Sequence, residues 1–309
     1  MIVSCSRRTD IPAFYSEWFI NRVHDGYCLV PNPFNAKQIS KISLAPQDVD
    51  AIVFWSKNPA PLLGKLDELT ERGYIYYFSY TINGYPSELE PEVPQASKAI
   101  ATIDKISRRL GPWGVVWRYD PIIISDQTTW KFHEENFAYL CRLLSGKTRR
   151  VVISILDMYA KTKRRVNDLL DHDALSNAED MLRLLKTMSA IANDYGMEIR
   201  SCAEKRDYSD VGIPPGKCID DEIIRRLGGN VSYHKDGSQR SACLCSKSRD
   251  IGMTDTCGHG CMYCYATRNS IVAKRRLQEH DPKSPVLWGH LDSEVLRKYE
   301  VAKKQLKLF

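Results

Sequence analysis

Cys257-Gly-His-Gly-Cys261-Met-Tyr-Cys264 is a C-x3-C-x2-C run, a spacing at which three thiolates can hold three corners of a cubane iron–sulfur cluster. A closed structural site takes four thiolates, so here one iron stays open. An open metal position is where a substrate or cofactor can be bound and activated. Gly258 and Gly260 let the backbone wrap close to sulfides without a Cβ clash. The competing reading is a zinc site completed by Cys245 or His259, with four ligands and no reactivity. Zinc sites more often use paired C-x2-C units, and only Cys261/Cys264 has that form, so a cluster is expected.

Seven of the ten cysteines fall between Cys202 and Cys264. Besides the triplet they include Cys202, Cys218, Cys243 and Cys245, four being the number that closes either a second iron–sulfur cluster or a zinc site. Cys28 and Cys141 sit in apolar settings and are expected to pack in the core, while the role of Cys5 stays open. His259 lies inside the cysteine loop, where a hydrogen bond to sulfur and a catalytic role are both open. His133, followed by Glu134 and Glu135, is expected on a solvated helix face. No Walker, G-x-S-x-G or dinucleotide glycine pattern is present, which counts against several enzyme classes.

The chain of 309 residues, 43% hydrophobic and 27% charged, reads as an ordinary globular protein. No apolar run approaches the roughly 18–20 residues that a membrane span needs. The start, Met-Ile-Val-Ser-Cys-Ser-Arg-Arg, lacks the apolar stretch of a signal peptide. A cytoplasmic location is therefore expected, and clustered cysteines there favour metal or redox chemistry over disulfides. The formal charge of +6 does not announce a nucleic-acid partner. Local basic runs at Lys147–Arg150, Lys161–Arg165 and Lys274–Arg276 read as solvated surface, with a phosphate-binding groove as the sharper alternative.

Positioning such a loop falls to alternating elements. Strand-like runs occur at Ile2–Cys5, Ala51–Trp55, Tyr74–Ile82, Val115–Tyr119, Val151–Leu156 and Met197–Cys202. Helix-like stretches include Gln95–Leu110, Glu134–Leu144 and Ala178–Tyr195, with Ala266–Gln278 after the cysteines. Alternation of this kind predicts βαβ units and a parallel sheet, in an α/β fold. Six or more units favour a TIM-like β/α barrel, full or partial, with closure left open. Residues 1–200 form the expected barrel core and residues 201–250 a Cys-rich lobe organised by metal. Residues 251–309, the cysteine loop and a helical segment, would complete the barrel.

The strand ends carry polar residues: Ser6-Arg7-Arg8-Thr9-Asp10, Ser56-Lys57-Asn58, Arg118-Tyr119-Asp120 and Asp157-Met158-Tyr159. In parallel barrels the carboxyl ends of the strands face the active site, so these residues are expected in one pocket. Arg7, Lys57, Arg118 and Asp120 are the candidate catalytic residues, and the cations suggest an anionic small molecule or nucleotide as substrate.

The cysteine run resembles the motif of the radical S-adenosylmethionine superfamily, C-x3-C-x-aromatic-C, which Cys257, Cys261, Tyr263 and Cys264 match at every defined position. The whole chain further resembles an uncharacterised bacterial family with this cluster near its C-terminus, through Ser6–Pro12, Phe54–Pro59 and Trp117–Pro121. The first resemblance implies a [4Fe-4S] cluster on Cys257, Cys261 and Cys264, S-adenosylmethionine on its open iron, Tyr263 near the adenine, and a flavodoxin- or ferredoxin-like reductant. The superfamily's motif normally follows the first strand, whereas here it lies past residue 250. A circular permutation accounts for this, because the last βα unit can neighbour Ile2–Cys5 in space. Ser4, Ser6 and Arg7 would then stand where S-adenosylmethionine contacts are expected.

Two other readings remain: a metal-dependent hydrolase or nuclease using Asp10, Asp120 and Asp157, and a zinc-stapled protein binding nucleic acid through its basic runs.

Overall fold

The computed structural model describes residues 1–33, 35–157, 165–166, 170 and 177–291. Strand β1 (Ile2–Cys5) leads into the short helix α1 (Ile11–Phe14), capped by the Asp10 carboxylate, and then α2 (Ser16–Asp25). An antiparallel hairpin follows, β2 (Tyr27–Asn32) with β3 (Asn35–Ser43), an element that Pro31 and Pro33 conceal in the sequence pattern. The chain continues as β4 (Ala51–Ser56), α3 (Leu66–Glu71), β5 (Tyr76–Thr81), α4 (Ala96–Leu110), β6 (Val115–Ile122), α5 (Trp130–Leu144) and β7 (Arg150–Ile155). The remaining elements are α6 (Ala178–Asp194), β8 (Glu198–Ser201), α7 (Asp221–Arg226), β9 (Ser248–Asp250) and α8 (Ser270–Gln278). Asn269 accepts from the amides of Ile271 and Val272, which fixes the start of α8 later than the apolar pattern suggests.

Seven strands form one parallel sheet in the order β8-β7-β6-β5-β4-β1-β9. The last strand in sequence lies beside the first, with Ile2, Val3 and Ser4 opposite Ser248, Arg249 and Asp250. The sheet is open, since β8 and β9 are its two edges, so the expectation of a full barrel is corrected.

Side-chain alternation explains what takes the place of closure. Val3, Phe54, Phe78, Trp117 and Val151 face the helices, where Trp18, Phe19, Ile103, Phe137 and Leu185 complete the larger core. On the opposite face Ile2, Val53, Tyr77, Val116 and Val152 pack against Ile219, Ile223, Ile224 and Val231 of the segment between β8 and β9. That segment, the Cys-rich lobe, thus shares an apolar core with the sheet and covers the face that a closed barrel would turn inward.

The lobe is pinned to β5 by a buried phenol. Tyr77 donates its hydroxyl to Cys218 O at 2.8 Å and accepts from Asp220 N at 3.0 Å. Tyr77→Phe strips both backbone groups of their partner and should destabilise the protein by about 1–3 kcal/mol; a urea melt should show the lower midpoint.

Arg150, read from the sequence as part of a solvated basic run, is buried and pairs with Glu198 and Asp220. The run Lys274–Arg276 is a surface of α8, with Lys274 paired to Glu92 at 2.9 Å and the Arg276 guanidinium over the Trp288 ring. Lys161, Lys163 and Arg164, like Met158, Tyr159 and residues 292–309, lie outside the described residues.

His133 also departs from expectation. Helix α5 starts at Trp130, which puts His133 in register with Phe137, Leu140, Cys141 and Leu144 on the buried stripe. Its ring bonds to the Tyr119 hydroxyl and to Ile123 O, both at 2.8 Å, and burial lowers its pKa from 6.5 to about 4. Protonation therefore favours the unfolded chain. The neutral ring's contribution is complete above pH 6.5 and is lost as pH falls from 6.5 towards 4. By pH 4.5 the loss should be about 2–3 kcal/mol. In His133→Gln that part of the slope should vanish, as urea midpoints at pH 7 and 4.5 would record.

Candidate functional site

The carboxyl ends of β1, β4, β6 and β7, together with the loops after β8 and β9, surround a cavity of about 450 Å³. Its wall includes Ser6, Arg7, Lys57, Arg118, Asp120, Tyr263 and all seven cysteines from Cys202 to Cys264. Among the sequence candidates only Ser4 stands back from the wall. It is buried and donates to Asp250 Oδ2 at 2.9 Å. The cavity volume and partly apolar wall suit a small-molecule site.

Three carboxylates organise this wall. Asp250 ends β9 and accepts from Ser4 Oγ, from Ser6 Oγ at 2.7 Å, and from the backbone amides of Arg7 at 2.9 Å and Gly252 at 3.0 Å. It thereby fastens the loop after β1 to the strand that launches the cysteine loop. Gly252 is required here, because a Cβ would lie 2.1 Å from Ser6 Oγ.

Asp10 does the same between β1, β4 and the cysteines. It accepts from Ala13 N at 2.9 Å and from Ser56 Oγ and Lys57 N at 2.7 Å, and bonds to His259 Nε2 at 2.7 Å. Burial alone would raise its pKa, but the His259 hydrogen bond and charge, with those of Lys57 N and Ser56, hold it below 3.8. His259, whose partner the sequence left open, is thus bonded to a carboxylate and, at 3.2 Å, to Glu92 O. Gly258 also makes room for a neighbouring ring: a Cβ there would meet Phe14 at 2.9 Å.

The third carboxylate, Glu90, gives no signal in the sequence. Its Oε1 accepts from Lys57 Nζ at 2.7 Å and Asn83 Nδ2 at 2.9 Å, and from the Tyr263 hydroxyl. Lys57 also reaches Tyr263 Oη at 2.9 Å. Burial works against the Lys57 charge, yet the Glu90 carboxylate outweighs it and raises the pKa. Arg118 pairs with Asp120, lies 2.8 Å from Cys218 Sγ and stacks over Trp55 at 5.3 Å. Lys57 and Arg118 are therefore committed to Glu90 and Asp120, which removes them as a simple argument for an anionic substrate. Arg7 and Arg8 are the half-buried cations on the wall whose carboxylate contacts are looser: Arg7 lies 3.7 Å from Asp250 and 3.9 Å from Asp236.

Asp10, Asp120 and Asp157 all line the cavity, but each has a separate partner: His259, Arg118 and Arg240 respectively. Among the described residues no three His, Cys, Asp or Glu side chains are already gathered about a point that one metal ion would fill. A cluster asks for a different arrangement, since each thiolate binds its own iron and the sulfurs stand apart. Cys257, Cys261 and Cys264 are near enough to act on one another electrostatically, and Lys57 acts on Cys261. Burial pushes the Cys257 thiol up to about 12, so any metal bound there must displace protons.

Fold and site together define an open parallel α/β protein with a cysteine-lined cavity at the carboxyl edge of its sheet. The chain belongs to the family described as a domain of unknown function, DUF1848, which matches residues 2–266. No curated protein matches it. The matched span covers the strand-end segments and the whole cysteine loop. Among the described residues no helix is long and apolar enough to cross a membrane.

Proposed function

We propose that this protein is a radical S-adenosylmethionine enzyme acting on a small anionic molecule or nucleotide. The observation that supports this is the convergence of Cys257, Cys261, Cys264 and Tyr263 on one cavity beside the β1–β9 seam. The three cysteines would hold a [4Fe-4S] cluster, which when bound supplies the electron that splits S-adenosylmethionine into methionine and a 5′-deoxyadenosyl radical. A flavodoxin- or ferredoxin-like protein is the proposed reductant and the cytoplasm the proposed location.

The chain's own part is positioning and exclusion of water. The Asp10–His259 contact fixes the cysteine loop against β1 and β4. Glu90 and Lys57 fix the Tyr263 ring. Asp250 presents the Arg7 backbone, and Arg7 and Arg8 are the proposed contacts for substrate anion. The β9–β1 pairing supports reading the fold as a permuted, partial β/α barrel whose first strand comes last in sequence. The test is anaerobic reconstitution with ferrous iron and sulfide, reduction with dithionite, and chromatography for 5′-deoxyadenosine. A loop that retains zinc under these conditions, or a reduced cluster that yields no 5′-deoxyadenosine, overturns the proposal.

A further inference from the structure

We infer that Cys202, Cys218, Cys243 and Cys245 form a second, four-thiolate metal centre on the wall of the same cavity. The four come from separate points: the end of β8, the loop before α7, and a C-x-C pair shortly before β9. Their thiols meet. Cys202 Sγ lies 2.8 Å from Cys218 Sγ, the Cys218 amide lies 3.3 Å from Cys245 Sγ, and Cys243 lines the same wall of the cavity. Core cysteines behave otherwise: Cys28 and Cys141 are each buried among apolar side chains.

The surroundings are those of sulfur ligands. Arg118 Nη1 points at Cys218 Sγ from 2.8 Å, and the amides of Cys218 and Ile219 point at Cys245 Sγ from 3.3 and 3.5 Å. A neutral thiol is a weak acceptor, whereas a metal thiolate carries negative charge that such donors stabilise and tune. The backbone agrees. Between α7 and β9 the chain has no helix or strand among the described residues, only an isolated bridge from Lys235 to Ser246. Ligation supplies the cross-link that regular hydrogen bonding does not. With Cys202 and Cys218 Sγ only 2.8 Å apart, the thiols are not yet spread about a metal, so loading requires side-chain rotation and loss of protons.

This inference does not depend on the chemistry proposed for the loop, and its test separates the two. A chain carrying Cys257→Ala, Cys261→Ala and Cys264→Ala would be purified anaerobically and loaded with zinc chloride or with ferrous iron and sulfide. After gel filtration, either about one zinc or iron with matching sulfide per chain is expected, and either result supports the centre while naming its metal. Adding Cys218→Ser and Cys243→Ser should lower bound metal at least tenfold. Should that variant not fold, titrating the folded triple variant with a mercurial should release its metal as the thiols react. A folded triple variant that retains no metal from either source overturns the inference, as does a Cys202–Cys218 disulfide found by mass spectrometry under reducing purification. If the loop reading alone fails, wild type and triple variant bind equal metal.

Discussion

Cys261→Ala should reduce 5′-deoxyadenosine formation to background, a loss of at least a thousandfold, while the protein remains folded. Cys261 is 7% exposed and lines the cavity rather than the large core, so exchanging a thiol for a methyl costs about 1 kcal/mol or less. The expected effect on chemistry is far larger because only three sulfur ligands are available at this spacing, and losing one leaves a centre that cannot be held. Cys141→Ala is the matched control. It also removes a buried thiol, from α5, but far from any proposed ligand, and should leave product formation unchanged. Product in the Cys261 variant at wild-type rate would refute the assignment, and circular dichroism would show that the fold is intact in both.

Asp10→Ala should destabilise the protein by about 3–5 kcal/mol. The substitution strands four partners at once: the half-buried amides of Ala13 and Lys57, and the buried Ser56 hydroxyl and His259 ring. It also removes the N-cap of α1, which by itself is worth about 1 kcal/mol. Because these partners sit on α1, β4 and the cysteine loop, loss of iron retention should accompany the lower melting temperature. Asp10→Asn keeps one carbonyl oxygen and should fall between the two. Equal melting curves for wild type and Asp10→Ala would show that the hub carries no load.

Much of this architecture can be read from residue pattern. All six strand-like runs are strands, because buried parallel strands are nearly continuous apolar runs and Val, Ile and aromatic residues fill them. The hairpin β2–β3 escapes such reading, since prolines and polar residues dilute its alternation. Closure escapes it too, because nothing local in Ile219, Ile223 or Ile224 announces that they pack on the sheet's inner face. The site divides along the same line. Arg7, Lys57, Arg118 and Asp120 are found by applying the strand-end rule to apolar runs. Asn83 would have yielded to that rule at the end of β5. Glu90 would not, for it reaches Lys57 only through a loop whose path is set by tertiary packing. His133 is buried although two following glutamates suggest solvent, because the helix period assigns the histidine and the acids to different faces.

The seam between β1 and β9 has a consequence for biosynthesis. Ser4 and Asp250, which join across it, are 246 residues apart in the chain. While the polypeptide is emerging from the ribosome, β1 has its β4 partner early but waits with its other edge bare until Ser248–Asp250 have been made. The cavity therefore comes into being only after Cys264 has been made, and loading of any metal there must wait for that segment.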